Sequence, residues 1–458
     1  MNETMAITDA DSAKKNVSVA EHSPRNQAII GTSEQGRPLN VVFVGKAKSK
    51  IKIFVIAGQH GDELNGREAA LRLASSPSRS IPGYPSSVQL AILLDANPDG
   101  SNLLIRNNSS QIDLNRDHQR LDAKETRAIH DFVRRWRPHM TVDVHNYPSR
   151  RKHLLAENHV IDYDVLLDTP TNPAVYLFPN QEAVTEDLVR SVCFDLNSLG
   201  FSCGRYLLFK SSSRARGSTL DLVDARNSLA LRYESLTVLL EGRNPTKDDD
   251  DLKRENLVSA QYQALLSIIR WARDHPDSLT FRAVAKKGTV VPIRYKYHAS
   301  MRKLNVKYKN TLSGQSETLP LQVYSGDVRI LQSVTLPSAY AIPENLSGML
   351  QILDRHGFSF SFSETSRVEE LESYTIDGSG MRQQEEELDE RASQIGNLLV
   401  TKVRRKLLGY RIYRTDQLGG KALSLFLEPG SRYGLMRHHD LRISLFQRNR
   451  SYPVLRIP

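Results

Sequence analysis

The sequence predicts an α/β fold: a largely parallel sheet covered by helices on both faces, followed by a β-rich C-terminal region. Three observations carry this. Through about residue 275, short apolar runs alternate with helical patterns, the grammar of a parallel sheet wrapped by crossover helices. Three of those runs end in a residue able to bind metal or move protons, His60, His145 and Glu241. From about Asp277 the pattern changes to short alternating segments with turn residues between them.

In chain order, residues 1–38 form a polar leader broken by Gly31, Gly36 and Pro38, expected to be mobile and to run into an edge element. Leu39 to Gly45 alternates as a strand. Ile51-Lys-Ile-Phe-Val-Ile-Ala57 follows, an apolar, β-branched run broken by Gly58 and leading to Gln59-His60-Gly-Asp-Glu63. It reads as strand, tight turn and helix start, with the helix over Glu63 to Leu73. Val88 to Leu94 is the next strand, stopped by the turn formers Asp95-Ala-Asn97-Pro-Asp-Gly100. A polar excursion carries Arg106 and reaches Ile112-Asp-Leu-Asn115-Arg116-Asp117.

Asp122 to Trp136 has Ile129, Phe132, Val133 and Trp136 on one helical face, with Asp122 as candidate cap and Glu125 three residues on. His139 to Val144 is a strand ending in His145. Ala174 to Phe178 reads as a further strand, Glu182 to Leu199 as a helix closed by Gly200, Leu236 to Leu240 as a strand ending in Glu241, and Asp251 to Arg273 as a long helix. Beyond it, Thr289 to Tyr297, Asn305 to Tyr308, Leu321 to Val323 and Leu398 to Tyr413 are strand-like, Glu344 to His356 is helical, and Gln383 to Gln394 is an acidic solvated stretch. The division that follows is a leader (1–38), a catalytic α/β domain (39–275) and a β-rich α+β accessory domain (276–458).

Length and composition bound the function. At 458 residues the chain exceeds one ordinary core. Its 39% hydrophobic and 25% charged residues describe a globular protein, and no apolar run is long enough to span a membrane. The net charge of +10 is spread along the chain without interleaved aromatics, which argues against a nucleic-acid role. Cys193 and Cys203 are too few for a disulfide framework or a cysteine-based zinc site, and read as small buried hydrophobes. No secretory signal is visible, so the cytoplasm is the expected compartment.

Strand ends in a parallel sheet face one edge, where ligands bind. His60, Glu63 and His145 together offer two imidazoles and a carboxylate, a set suited to one catalytic zinc with an open position for water. Glu241, at an equivalent strand end and not needed as a ligand, is the candidate general base, and Arg106 a fixed positive charge for an oxyanion. Arg116, with a planar fork, and Asn115 beside it suit a substrate carboxylate. Asp143 shares the face of His145 and is placed to orient a ligand imidazole.

His60-x-x-Glu63, Asn97-Pro-Asp-Gly100, Arg106, Asp113-Leu-Asn115-Arg116, Asp143-Val-His145 and Glu241 occur in the order and approximate spacing of the zinc carboxypeptidase family, and the set resembles its bacterial members in particular. The resemblance spans roughly residues 39 to 275. It implies an α/β/α fold around a mixed eight-stranded sheet and one zinc per chain. It also implies hydrolysis of the C-terminal amide bond of a peptide, with a zinc-bound water as nucleophile, Glu241 as base, Arg106 as oxyanion partner and Asn115 with Arg116 as carboxylate clamp. The partner is then a peptide or amino-acid conjugate with a free carboxylate. One departure stands out: where better-known members carry a Tyr some twenty residues before the base, Ser211 to Asp221 holds none. Tyr206 and Tyr233 lie nearby. The competing readings are a deacylase of the succinylglutamate desuccinylase and aspartoacylase type, and an inactive peptide-binding module.

Overall fold

The computed structural model describes residues 26–75, 87–175, 181–247, 249–280, 285–363, 368–377, 397–438, 440–441 and 451–458. In the first half the strands are β1 (Gln27–Thr32), β2 (Pro38–Val44), β3 (Ile51–Ala57), β4 (Val88–Leu93), β5 (Met140–Tyr147), β6 (His159–Ile161), β7 (Val165–Asp168), β8 (Cys203–Arg205), β9 (Leu208–Ser211), β10 (Arg214–Arg216) and β11 (Leu236–Arg243). Eight of them form one mixed sheet in the order β1-β2-β4-β3-β5-β11-β7-β8. The pairs β4/β3, β3/β5 and β5/β11 are parallel, so the centre is parallel and the flanks supply the antiparallel pairs. The fold expected from the sequence is thus present.

Period-2 side chains divide the sheet's apolar residues between two faces. On one face Ile53, Val55, Val142, Val144, Val238 and Leu240 pack against helices Leu64–Ser75, Gln181–Ser198 and Asp251–Asp274. On the other, Leu39, Val41, Phe54, Ile56, Ala91 and Leu93 meet helices Lys124–Trp136 and Ala225–Tyr233. Strands β3, β4, β5 and β11 are therefore buried on both sides, which explains the mainly apolar runs within them.

The strands after residue 285 are β12 (Val290–His298), β13 (Asn305–Asn310), β14 (Ser316–Pro320), β15 (Val323–Ser325), β16 (Asp327–Thr335), β17 (Ala339–Pro343), β18 (Ser361–Phe362), β19 (Val368–Asp377), β20 (Asn397–Lys406), β21 (Tyr410–Arg414) and β22 (Leu455–Ile457), with helices Ser347–Arg355 and Gly420–Leu427 among them. Six form the sheet β18-β21-β17-β22-β19-β20. Others pair with the first half: β13 with β6, and β15 with β10. One apolar cluster joins Leu220, Leu222 and Leu231 to Tyr340, Leu353 and Phe426, so this region packs directly on the segment that precedes β11.

Several local readings differ. The helix at Lys124–Trp136 has Ala123 at its N-cap with no side-chain hydrogen bond; the carboxylate of Asp117 instead accepts from the backbone N–H groups of Asp122 and Ala123 at 2.9 Å each. Asp122 is occupied by Arg120 and Arg355. Within the expected strand Ala174 to Phe178, Pro173–Val175 is a single 3-10 turn, and the remainder lies outside the described residues, as does the acidic stretch Gln383 to Gln394. Cys193 and Cys203 are joined as a disulfide between the helix Gln181–Ser198 and β8, with Cα atoms 5.0 Å apart, which corrects their reading as separate buried side chains. Among the described residues no helix is long and apolar enough to cross a membrane.

Candidate metal centre and active site

Sheet register places the key side chains. Ala57 pairs with Val144 and His145 with Glu241, so the carboxyl ends of β3, β5 and β11 lie level at one edge. After β3 the chain turns sharply through Gly58, at φ +72, and Gly61, where an added Cβ would stand 2.1 Å from the carbonyl carbon of Gly100. That close approach docks the turn on the Asn97–Gly100 segment. Asn97 fastens it: its amide nitrogen donates to the carbonyls of Gln59 (3.3 Å) and Arg106 (3.2 Å), and its oxygen accepts from Gly100 N.

His60, Glu63 and His145 are buried, with one ligating atom from each lying within 4.8 Å of the others. The two imidazoles face each other through Nδ1 at 3.2 Å; Glu63 Oε1 is 2.7 Å from His60 Nδ1 and its Oε2 3.0 Å from His145 Nδ1. Each outward Nε2 is held by an aspartate: His60 by Asp113 at 3.1 Å and His145 by Asp143 at 3.0 Å. A carboxylate on the far nitrogen fixes ring orientation and frees the near nitrogen's lone pair for a cation. Gln59 steadies Asp143 from behind, donating to its Oδ1 at 2.6 Å and meeting His118 Nε2 at 2.7 Å.

Burial opposes charge on these groups, and the neighbours override it. Burial pulls His60 down, yet its bonds to Asp113 and Glu63 leave it above its ordinary value. Burial pushes Glu63 up, but the facing imidazoles bring it to about 2. His145 is carried well above its usual range, against burial, by Asp143 and Glu63. Two imidazoles and a carboxylate with their ligating atoms this close form an N2O donor set chemically fitted to a divalent zinc.

Glu241 is buried beside this set, and its Oε2 has no hydrogen-bond partner among the described residues. Burial raises its pKa to about 7, with the Glu63 charge adding to the effect and His145 opposing it. Arg106 lies on the other side, held by Asp113 at 3.0 Å, with Nη1 3.3 Å from His60 Nδ1. Arg116 leans on its neighbour's carbonyl at 2.8 Å. The Asn115 amide is engaged with His145 Nε2 (3.1 Å) and accepts from Ala225 N (2.9 Å), so here it braces a ligand as well as facing the cavity.

The eight residues singled out from the sequence, His60, Glu63, Arg106, Asn115, Arg116, Asp143, His145 and Glu241, border one cavity of about 530 Å³. Its walls include residues the sequence did not announce: Asp221, Asp224, Arg226, Arg437 and His438. Arg226 is buried, its terminal nitrogens donating to Asp168 (2.5 Å), Asp224 (3.2 Å) and the carbonyl of Thr219 (2.9 Å). Tyr206 lines the cavity, whereas Tyr233 is buried elsewhere, its hydroxyl 3.0 Å from His130.

Residues 18–150 match the family model described as zinc carboxypeptidase, a span that contains His60, Glu63, Arg106, Asn115, Arg116 and His145 and ends before Glu241. Carboxypeptidase 2 of Trichophyton tonsurans is 23% identical over 263 residues, 54% of this chain and 48% of that protein. Carboxypeptidase SOL1 of Arabidopsis thaliana is 34% identical over 125 residues, 23% of this chain and 26% of that protein. A metallo-carboxypeptidase structure from Burkholderia cenocepacia superposes with a TM-score of 0.41 at 18% identity, over 54% of this chain and 65% of the other. The chain spans about half the length of the first of these relatives.

Proposed function

We propose that this chain is a zinc-dependent carboxypeptidase that hydrolyses the C-terminal amide bond of a peptide. The observation that carries the reading is the pair of buried imidazoles facing each other through Nδ1 beside Glu63, each braced from behind by an aspartate, with a buried Glu241 oxygen, unpartnered among the described residues, alongside. His60, Glu63 and His145 hold one zinc, which when bound supplies Lewis acidity toward the scissile carbonyl and lowers the pKa of a water.

The chain's own groups do the rest. Arg116 binds the free carboxylate of the substrate, with Asn115 beside it, and so fixes which amide bond reaches the site. Glu241 takes the proton of the attacking water and returns it to the departing amine; a carboxylate poised near neutral pH by burial suits both steps. Arg106 stabilises the negative charge that develops on the carbonyl oxygen. Within the family, the bacterial likeness rests on the motif set alone. The disulfide favours an oxidising compartment over the cytoplasm read from the sequence.

The test is incubation of the zinc-loaded protein with a mixed peptide library, with and without a chelator, and product analysis by mass spectrometry. Loss of single C-terminal residues, abolished by the chelator and absent for amidated peptides, supports the reading. Internal cleavage, or products unchanged by the chelator, refutes it.

A further inference from the structure

The cavity is closed on one side by the C-terminal region. The run Gly434 to His438, including the 3-10 turn Leu435–Arg437, is tied to the loop that follows Arg116: His438 Nε2 lies 3.1 Å from Gln119 Oε1, Gln119 donates back to the Tyr433 carbonyl, and Arg120 pairs with both Asp440 oxygens at 3.0 Å. Arg437 is thereby set into the cavity wall, its guanidinium over the Tyr433 ring at 5.8 Å. Its one hydrogen-bonded partner among the described residues is Asp221, at 2.6 Å.

Position decides what this pair can read. Arg116, Asp221 and Arg437 all line the one cavity, with Asp221 bonded to Arg437 at 2.6 Å. Both terminal nitrogens of Arg226, which also lines the cavity, are engaged by Asp168, Asp224 and the Thr219 carbonyl. Arg437 is less occupied: its side chain keeps 25% exposure, and one bond leaves most of its five donors for another acceptor. A residue whose free carboxylate sits on Arg116 therefore shares its cavity with the Asp221–Arg437 pair.

Building on the carboxypeptidase reading, we propose that Arg437 is a specificity-determining residue, selecting substrates whose C-terminal residue ends in a carboxylate or carboxamide over those with an aliphatic or cationic one. Asp221 holds the guanidinium in place and cancels its charge when no substrate is bound. Removing Arg437 uncovers Asp221, so the preference turns toward cations.

The experiment titrates free glutamate, glutamine, leucine and lysine into the zinc-loaded chain by calorimetry, and measures kcat/KM for blocked dipeptides ending in each, for the parent, Arg437→Ala and Arg437→Lys. Parent binding of glutamate and glutamine should exceed that of leucine roughly tenfold or more, the range of a charge-assisted hydrogen bond. Arg437→Ala should erase that margin while leaving leucine within about threefold and improving lysine, and Arg437→Lys should restore part of the glutamate margin. Leucine bound as tightly as glutamate by the parent, no amino acid bound at all, or an equal loss for every ligand in Arg437→Ala overturns the proposal. Selective binding without hydrolysis of any dipeptide refutes the carboxypeptidase reading alone.

Discussion

Two aspartates do for the imidazoles what no ligand can do for itself. Asp113 and Asp143 each hold one ring by Nε2 and so present both Nδ1 atoms to one point. Asp143→Asn and Asp113→Asn should therefore keep the fold but weaken zinc binding about ten- to a hundredfold, measured by competition with a chromogenic chelator; unchanged affinity would deny them this role. Glu241→Gln keeps shape but removes the base, so kcat should fall about a hundred- to ten-thousandfold with zinc retained, and near-parent turnover would end the general-base assignment. At this scale much was legible in the sequence, because His60, His145 and Glu241 terminate apolar runs and strand ends converge. Asp143 was legible too, from alternation along β5. Arg437, His438 and Asp221 were not: they reach the cavity through contacts across more than two hundred residues, and no local pattern records them.

Turns and strand ends set the site as firmly as the side chains do. Gly61 has backbone of Gly100 and Ser101 where a Cβ would stand, so Gly61→Ala must push the β3 turn off the Asn97–Gly100 segment. We expect about 1–3 kcal/mol of lost stability from such overpacking, read from urea unfolding, with weakened zinc binding because His60 and Glu63 flank the turn. A variant as stable as the parent would show that the turn yields. Strands β3, β4, β5 and β11 were readable from their apolar runs, since burial on both faces leaves little else to encode. The cap of the helix Lys124–Trp136 was misread because the helix entry is held from elsewhere: Asp117 takes the N–H groups of Asp122 and Ala123, and Glu34, ninety residues away, takes that of Lys124. The disulfide also escaped notice, since two cysteines ten residues apart say nothing until helix and strand bring them together.

Across the whole molecule, the C-terminal region and the α/β region share strands, an apolar core and a wall of the cavity, and we propose that they fold as one unit. At their junction burial dominates the histidines, lowering His118 and His438 to about 4 and His356 to about 3; His130 beside them is also well below its usual value. An unfolded imidazole takes its proton near pH 6.5, so the unfolded chain binds more protons below that point. The contribution of these four histidines to stability should hold above pH 7 and decline as the pH falls from 6.5 to about 4, by on the order of a few kcal/mol in all. His356→Gln should flatten that decline in unfolding melts, and an unchanged slope would remove His356 as a source. The account stands most directly on the metal. Zinc counted by mass spectrometry after reconstitution and desalting should give one ion per parent chain and none in His145→Ala that remains folded by circular dichroism. A parent that retains no zinc, or a His145→Ala chain that retains as much as the parent, would contradict it.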